Sequence, residues 1–265
     1  MIESNSNPQI KYLHRLSKSS RFRKAEKVFL AEGFKMVKEA LLHKLALKLY
    51  VTKAARESDR KEYLEIFKLS EETGIFIETV SEKVFQAICD TTNPQGILAI
   101  VKMPEYELES YLSERVHFLC LEDINDPGNL GTMMRTAEGA GMTGVIMSKG
   151  TVDLFNPKVV RATMGSLFRV PFFYTDHLEE TIGFLKSKGV TIYAAHLQGS
   201  VPYDKVSYKG SVCLMIGNEA NGLSDSVTML ADTCVRIPMA GQLESLNAAV
   251  SAALLMYEIK RREEV

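Results

Sequence analysis

Short apolar runs alternate with amphipathic stretches along most of the chain. From residue 116 onward, the apolar runs predict six strands, at 117–122, 145–147, 170–173, 192–195, 212–216 and 234–237. Apolar residues at three- and four-residue steps predict helices between them, at about 130–139, 158–164, 178–188 and 224–230. Apolar strands separated by amphipathic helices are typical of a parallel sheet that is covered on both faces.

The first hundred residues alternate in the same way. The pattern predicts strands at 28–30, 47–52, 76–80 and 97–101, helices at 34–45, 60–69 and 81–89, and an amphipathic helical stretch within 7–27. Residues 102–112 contain Pro104 and three Glu and have the composition of a linker. The predicted fold class is therefore α/β, with a small N-terminal α/β domain at 1–103 and a C-terminal parallel-sheet α/β domain at 113–265.

A long helix is predicted at the end of the chain, after an irregular loop. The predicted strand 234–237 runs into Pro238 and Gly241, and apolar residues then recur at helical steps as far as Arg262. Ser245 or Asn247 is a natural N-cap for this helix, because either side-chain oxygen can accept from a free backbone N–H. Such a loop can hold a ligand, although an ordinary strand–loop–helix connection has the same pattern.

Composition adds an asymmetry of charge. The chain has 265 residues, 46% of them apolar, and a formal net charge of -1. Its first 62 residues nevertheless carry 15 Lys and Arg against 7 Asp and Glu. A basic cluster interleaved with Tyr12 and Phe22 is an RNA-binding composition, and a solvated helical face is the alternative. The cations selected as candidate RNA contacts in this cluster are Lys11, Arg15, Arg21, Arg23 and Lys24.

The cysteines and the apolar runs limit the class of protein. Cys89, Cys120, Cys213 and Cys234 are widely scattered without a C-x-x-C pair, which favours free thiols over disulfides or a metal site. No signal peptide opens the chain, and its longest apolar run is too short to cross a bilayer. We therefore expect a cytoplasmic protein that is not associated with a membrane and binds no metal ion.

Two loops that follow apolar strands carry candidate chemistry. The first contains a turn signal, Asp126-Pro127-Gly128, followed by Asn129 as a possible helix cap. Arg135 lies two turns into that helix among apolar residues, so we expect an anion or carboxylate near it, unless it lies on the solvent face. The second loop, 217–223, would place Glu219 at the carboxyl edge of the sheet, where ligands bind.

Two further stretches have weaker signals. Residues 139–144 match the dinucleotide-binding pattern G-x-G-x-x-G, but they end a helix and lead into a strand, the reverse of that fingerprint. Helix C-cap glycines explain them better than a nicotinamide site. Arg161 lies in a helix that starts after Asn156-Pro157 and could meet a substrate phosphate, although a plain turn is equally consistent.

Three ordered motifs resemble those of the SpoU family of RNA ribose 2'-O-methyltransferases, within the SPOUT superfamily. They are Asn129-x-Gly131-x-x-x-Arg135, then Ile216-Gly217-Asn218-Glu219-x-x-Gly222-Leu223, then Ile237-Pro238-Met239 with Ser245-Leu246-Asn247. The first hundred residues resemble the family's substrate-binding module. One departure is the sequence Asn218-Glu219-Ala220-Asn221, where many relatives carry a small residue before Glu and Gly after it.

The resemblance implies an enzyme that uses S-adenosylmethionine (AdoMet), has a deep trefoil knot in its C-terminal part and forms a homodimer whose active site is completed across the interface. Its substrate would be structured RNA, with ribosomal RNA favoured and transfer RNA as the alternative. A non-catalytic RNA-binding protein on the same scaffold is the alternative. The family pattern places the cofactor against backbone groups of the last two motifs, which here are Gly217, Ile237 and Leu246, with Asn218 and Met239 as neighbours.

The resemblance also implies the catalytic residues. The family proposal makes Arg135 the base that takes the hydroxyl proton, which conflicts with a guanidinium pKa above about 12. Two alternatives stay open. Either Arg135 binds the adjacent phosphate and stabilises alkoxide charge, or Glu219 or a water takes the proton. The residues expected to orient Arg135 and the ribose are Asn129, Glu219, Ser245 and Asn247.

Overall fold

The computed structural model describes residues 1–112, 115–197 and 201–263. The chain divides into two compact units. The first comprises Met1–Glu105 and Asp153–Phe168, and the second comprises Tyr106–Val152 and Arg169–Val265. The segment Asp153–Phe168 thus belongs with the N-terminal residues. Positions 113 and 265, the predicted limits of the second domain, lie outside the described residues, and the roles assigned to the two domains stay predictions.

The first unit is built on a four-stranded sheet. Its strands are β1 (Val28–Glu32), β2 (Ala46–Thr52), β3 (Ile77–Val80) and β4 (Ile97–Lys102), in the order β1-β4-β2-β3. Strands β1 and β2 run antiparallel to β4, and β3 runs parallel to β2. Its first six helices are α1 (Pro8–Lys18), α2 (Ser20–Glu26), α3 (Phe34–Leu42), α4 (Lys53–Arg56), α5 (Lys61–Thr73) and α6 (Glu82–Ile88).

The N-terminal helical stretch is two helices, which corrects the prediction of one amphipathic stretch. Ser19 is extended, with φ -117° and ψ 109°, so α1 ends at Lys18. The Ser19 hydroxyl then accepts from the backbone N–H of Phe22 and caps α2. Helix α1 buries Ile10, Leu13 and Leu16 and leaves its basic residues outside.

The second unit is built on a seven-stranded sheet. Its strands are β5 (His117–Leu121), β6 (Gly144–Ser148), β7 (Phe172–Thr175), β8 (Thr191–Ala195), β9 (Val201–Pro202), β10 (Val212–Ile216) and β11 (Thr233–Arg236), in the order β7-β6-β5-β10-β8-β11-β9. The remaining helices are α7 (Pro127–Gly139), α8 (Pro157–Ala162), α9 (Leu178–Ser187), α10 (Asp225–Thr228) and α11 (Ala248–Glu263), of which α8 belongs to the first unit. Within the described residues, three short 3-10 helices lie at Leu108–Tyr111, Ser166–Phe168 and Tyr203–Lys205.

Every pairing in this sheet is parallel, and every residue of β5, β6 and β10 is buried, so the predicted covered parallel sheet is confirmed. The two-residue strand β9 was not predicted. The trefoil knot stays a prediction. Because β5 and β10 are neighbours, the loops that follow them start side by side at the carboxyl edge of the sheet.

The four cysteines are free, as predicted, with Cys120 and Cys213 buried. No helix in the described ranges is long and apolar enough to cross a membrane.

Candidate active site

The loop after β5 leads directly into α7. Pro127 is the first residue of this helix, where the missing backbone N–H costs nothing. The N-cap is Asp126, whose Oδ1 accepts from the backbone N–H of Asn129 at 2.7 Å. The prediction that Asn129 caps the helix is therefore wrong. Asn129 sits inside the first turn, and its side chain is free for other partners.

The loop after β10 is closed by its own backbone. The N–H of Asn218 donates to the Gly222 carbonyl at 3.0 Å, and the N–H of Gly222 donates to the Asn218 carbonyl at 2.9 Å. Gly222 has φ +70°, which favours glycine. Gly217 is buried, and a Cβ there would overlap the backbone of Gly222 and Leu223. The loop can therefore close only with glycine at 217.

Asn218 ties the second loop to the first. Its Nδ2 donates to the Asp123 carbonyl at 2.7 Å, and its Oδ1 accepts from the backbone N–H groups of Ala220 and Asn221. Both ends of the amide are used, which stabilises the loop that presents Glu219. The departure from the family pattern at 218–221 therefore leaves Glu219 in a well-supported position.

Glu219 is the acceptor on which the first loop closes. Its carboxylate accepts from the backbone N–H of Asn125 at 3.1 Å, from that of Asp126 at 3.2 Å and from Asn129 Nδ2 at 2.9 Å. Partial burial acts to raise the pKa of the Glu219 carboxyl, but these hydrogen bonds outweigh it and hold the pKa below its ordinary value. Glu219 is therefore an ionised hydrogen-bond acceptor and a weak base.

Asn247 extends the same hydrogen-bonded chain to the third motif. Its Nδ2 donates to Asn129 Oδ1 at 3.0 Å, and its Oδ1 accepts from the backbone N–H groups of Ala249 and Val250 at the start of α11. This confirms Asn247 as a cap of the last helix. Because a carboxylate only accepts and a backbone N–H only donates, the partners at the two ends fix the orientation of both amides.

Arg135 is exposed and is not hydrogen-bonded to Asn129, Glu219 or Asn247. The expected anionic partner is absent from the described residues of the single chain. Helix geometry gives the reason. The buried stripe of α7 contains Leu130, Met133, Met134 and Ala137, and position 135 is turned away from it. Ser245 is also exposed and lies in the irregular segment before α11.

The segment from Pro238 to Leu246 has an unusual backbone. Within the described residues, none of its N–H or C=O groups is hydrogen-bonded to another backbone group. Ile237, Met239 and Leu246 are half-buried, and the polar residues between them are exposed. Free backbone donors and acceptors beside partly buried apolar side chains suit a ligand that carries both a polar ring edge and an apolar face.

Two hydrogen-bonded side-chain pairs that support the site were not predicted from the sequence. Glu122 accepts from both the backbone N–H and the hydroxyl of Ser224, at 2.8 and 2.6 Å, and so joins β5 to the start of α10. Asp123, with φ +53°, is held by Ser148, whose hydroxyl donates to Asp123 Oδ1 at 2.6 Å. The Asp-Pro-Gly signal indicated a turn, but no sequence signal reveals side-chain partners 25 and 102 residues apart.

The structure corrects one candidate RNA contact. The side chain of Arg23 is 3% exposed, its Nε lies 3.0 Å from Asp153 Oδ2, and its Nη1 donates to the Leu16 carbonyl at 2.7 Å. Arg23 therefore holds α1, α2 and the segment Asp153–Phe168 together within the first unit and is not available to RNA. Arg161 is also engaged, with Nη2 3.2 Å from Asp90 Oδ2 and Nη1 3.8 Å from Glu32. Lys11, Arg15, Arg21 and Lys24 are exposed.

Comparison with known proteins identifies the family to which this chain belongs. A sequence profile of the SpoU rRNA Methylase family matches residues 117–257, and a profile of the MRM3-like substrate binding domain matches residues 7–99. The chain belongs to the SpoU rRNA methylase family. In this SpoU-family protein, the hydrogen bonds from Glu219 through Asn129 to Asn247 join residues of the three motifs that resemble those of the family.

Individual relatives of this SpoU-family chain agree over nearly its full length. A Bacillus subtilis protein named 23S rRNA (guanosine(2553)-2'-O)-methyltransferase RlmP is 36% identical, over 98% of each chain. The structure is also similar to that of an AdoMet-bound rRNA methyltransferase from Sinorhizobium meliloti, with a TM-score of 0.87 and 33% identity over 98% of this chain and 97% of that one. The SpoU methyltransferase AviRb from Streptomyces viridochromogenes, in complex with AdoMet, has the same fold at 24% identity, with a TM-score of 0.87 and coverage of 97% and 98%.

Proposed function

We propose that this protein transfers a methyl group from AdoMet to a ribose 2'-hydroxyl of 23S ribosomal RNA in the cytoplasm. The observation that carries the proposal is the continuous hydrogen-bonded chain of Glu219, Asn129 and Asn247, which joins three motifs that are far apart in the sequence. The choice of 23S rRNA rests on the name of the Bacillus subtilis relative and its match over the whole chain.

The residues proposed to hold AdoMet are Gly217, Asn218, Ile237, Met239 and Leu246. The unpaired backbone groups of residues 238–246 fit the polar edge of an adenine ring, and the half-buried side chains beside them fit its face. AdoMet supplies a methyl group already activated on a sulfonium, so the reaction requires no metal. Among the described residues, no three His, Cys, Asp or Glu side chains cluster as metal ligands.

The protein's part in the reaction is to orient the ribose and to stabilise charge. Fixed orientation of reacting groups can contribute several kcal/mol, on the order of 7–11 at best. Asn129 is locked between Glu219 and Asn247, so we assign these three side chains and Ser245 to positioning Arg135 and the ribose. The Glu219 carboxylate is engaged by the backbone N–H groups of Asn125 and Asp126 and by Asn129, so we propose that a water relays the hydroxyl proton to bulk solvent.

Arg135 is proposed to bind the phosphate next to the target and to stabilise the developing alkoxide. Its exposure supports this role, because an exposed guanidinium is open to an incoming anion. The exposed apolar side chains of α11, Val250, Leu254 and Tyr257, support a homodimer interface on the same unit. We propose that this dimer brings Arg135 of one protomer to the site of its partner.

The test is methyl transfer from labelled AdoMet to 23S rRNA and, separately, to tRNA, with mapping of 2'-O-methyl positions. We expect label in 23S rRNA at one ribose. AdoMet binding without methylation of either RNA would refute the choice of substrate. A calorimetric titration without heat and without a thermal shift would refute the activity and leave a non-catalytic RNA-binding protein.

A further inference from the structure

A groove on the first unit lies between α1 and α6, and none of its lining residues belongs to the three motifs of the candidate active site. It has a volume of about 520 Å³. Its floor is apolar, with the buried residues Ile10 and Ile88 beside the exposed Ala87. Its rim carries Lys11 and Arg15. Asn5 and His14 are the remaining lining residues. The volume falls within the range of sites that hold a small molecule or a single nucleotide, roughly 300–1,000 Å³.

The sequence builds this groove by helical periodicity. Helix α1 turns Ile10, Leu13 and Leu16 toward the core, so Lys11 and Arg15 must face outward beside it. Helix α6 buries Val84, Phe85 and Ile88, and the residue before Ile88 is alanine. Its short side chain leaves open the space that a larger residue would fill.

The rim is positively charged without an internal counter-charge. Neither Lys11 nor Arg15 is ion-paired with a carboxylate of the described residues. The guanidinium of Arg15 lies 3.9 Å from the centre of the Phe22 ring, which fixes its plane and leaves its N–H edge free. A fixed N–H edge of this kind is suited to a phosphate.

Two other grooves of the same unit differ in charge. One is lined by Lys44 together with Glu72, and the other by Arg56 and Lys68 together with Glu71. Each of them contains a carboxylate that would repel a polyanion. The α1–α6 groove combines an apolar floor with cations and an imidazole alone, which is the chemistry that accepts an unpaired base and its phosphates.

We propose that the α1–α6 groove binds an unpaired nucleotide of the substrate RNA, with the base over Ile10, Ala87 and Ile88 and the flanking phosphates on Lys11 and Arg15. This inference rests on the proposed function, because it takes RNA as the substrate. It adds a preference for single-stranded over duplex RNA, since a base inside a helix cannot enter a groove.

The experiment measures binding of fluorescein-labelled RNA to the full-length protein by fluorescence anisotropy, without AdoMet. The two probes are a single-stranded oligoribonucleotide and a blunt duplex of the same sequence. Ala87→Leu fills the groove without changing charge or adding an aromatic ring, and Ala54→Leu, at an exposed alanine of α4 outside the groove, is its control. We expect Ala87→Leu to weaken single-strand binding about tenfold, near the lower end of the effect of losing one base contact, and to leave duplex binding unchanged.

A second pair of variants tests the proposed contacts of Lys11 and Arg15 with the RNA phosphates. Lys11→Gln with Arg15→Gln should lower the slope of log affinity against log salt by about 0.7 for each phosphate of the single strand that the protein no longer neutralises. Lys53→Gln with Lys68→Gln, the same charge change on α4 and α5, should leave the slope nearly unchanged. Circular dichroism and thermal unfolding confirm that each variant is folded.

Equal binding by the Ala87→Leu and Ala54→Leu proteins would overturn the inference, as would an equal loss of affinity for both probes. These measurements do not depend on methyl transfer. Failure of wild-type protein to methylate 23S rRNA would therefore count against the proposed function alone, and normal methylation with unaltered binding by Ala87→Leu would count against the groove alone.

Discussion

At the scale of single residues, the site depends on how three polar side chains are paired. Asn129 uses both ends of its amide, with Glu219 on one side and Asn247 on the other. Each partner is in turn bound to backbone N–H groups, so the side chains cannot turn independently. A rigid chain of this kind transmits a displacement at any member to the other two.

Asn129→Ala should lower kcat about 100-fold, because it removes the link that aligns Glu219 with Asn247 and misplaces the reacting groups. The measurement is single-turnover methyl transfer with saturating RNA. Asn125→Ala is the matched control, since Asn125 lies in the same loop but contacts Glu219 only through its backbone N–H. Similar kcat values for the two variants would show that the Asn129 amide has no role in positioning.

Arg135→Ala should lower kcat about 100- to 1,000-fold, the usual effect of removing one charged donor to a developing anion. AdoMet binding, measured by calorimetry, should change little, because Arg135 is not among the residues proposed to hold the cofactor. Thr132→Ala, at another exposed residue of α7, is the control. Full turnover by the Arg135→Ala protein would remove the guanidinium from the mechanism.

Glu219→Gln should make stability less dependent on acid pH. The folded-state pKa of Glu219 is lowered from the ordinary value of 4.5, so its ionised form stabilises the fold above that value and loses the effect as the pH falls through the folded-state pKa. The difference in unfolding free energy between wild type and Glu219→Gln should therefore be largest near neutral pH and shrink in acid below about pH 4.5. Urea unfolding from neutral pH down to acid measures this difference, and Glu244→Gln, at an exposed residue, is the control. A constant difference would contradict the lowered pKa.

Apart from the resemblance to a family, the sequence could predict the direction of a side chain or the cap of a helix only where local geometry decides it. The outward direction of Arg135 follows from its helical position relative to Leu130 and Met134, and a periodicity argument could have found it. Pro127 at the first helical position could have identified Asp126 as the cap. Arg23 is different, because its partner Asp153 lies 130 residues away and no local pattern connects them.

At the scale of elements, apolar periodicity located the strands and the longer helices, because burial on both faces of a sheet requires uninterrupted apolar runs. It could not define α2, since Phe22 and Ala25 are the only apolar residues between Ser20 and Glu26 and are too few to give a period. The strand β9 has two residues and no period to detect. The resemblance of motifs predicted which loops converge, and the order of β5 and β10 in the sheet gives the physical reason.

Gly217→Ala should deform the loop after β10, because the added Cβ would overlap the backbone of Gly222 and Leu223. Overpacking of this kind typically costs about 1–3 kcal/mol, so we expect a lower melting temperature and an AdoMet affinity reduced about tenfold or more. Gly183→Ala is the matched control, because a Cβ there meets no atom within 4 Å and Gly183 lies in α9, outside the residues proposed to hold AdoMet. Calorimetry and thermal unfolding measure both effects. Wild-type affinity in Gly217→Ala would exclude this loop from cofactor binding.

At the scale of the whole molecule, the single chain leaves the proposed site incomplete. Arg135 has no partner in the hydrogen-bonded chain of Asn129, Glu219 and Asn247, and α11 exposes Val250 (48%), Leu254 (40%) and Tyr257 (50%). A second copy that covers these apolar side chains would bury them and supply the missing guanidinium from its own α7. Symmetric pairing of two identical chains would then give two equivalent sites.

Complementation between two inactive variants tests this arrangement. A protomer with Arg135→Ala keeps Asn129, and a protomer with Asn129→Ala keeps Arg135. If Arg135 acts on the partner's site, a mixed dimer contains one intact site, and an equal mixture should recover about a quarter of wild-type activity. If Arg135 acts within its own chain, every site lacks one residue and the mixture stays inactive. Leu254→Glu, which places a charge on the apolar face of α11, should give monomers by light scattering and abolish the recovery. Recovery of activity by monomeric protein would contradict a shared site.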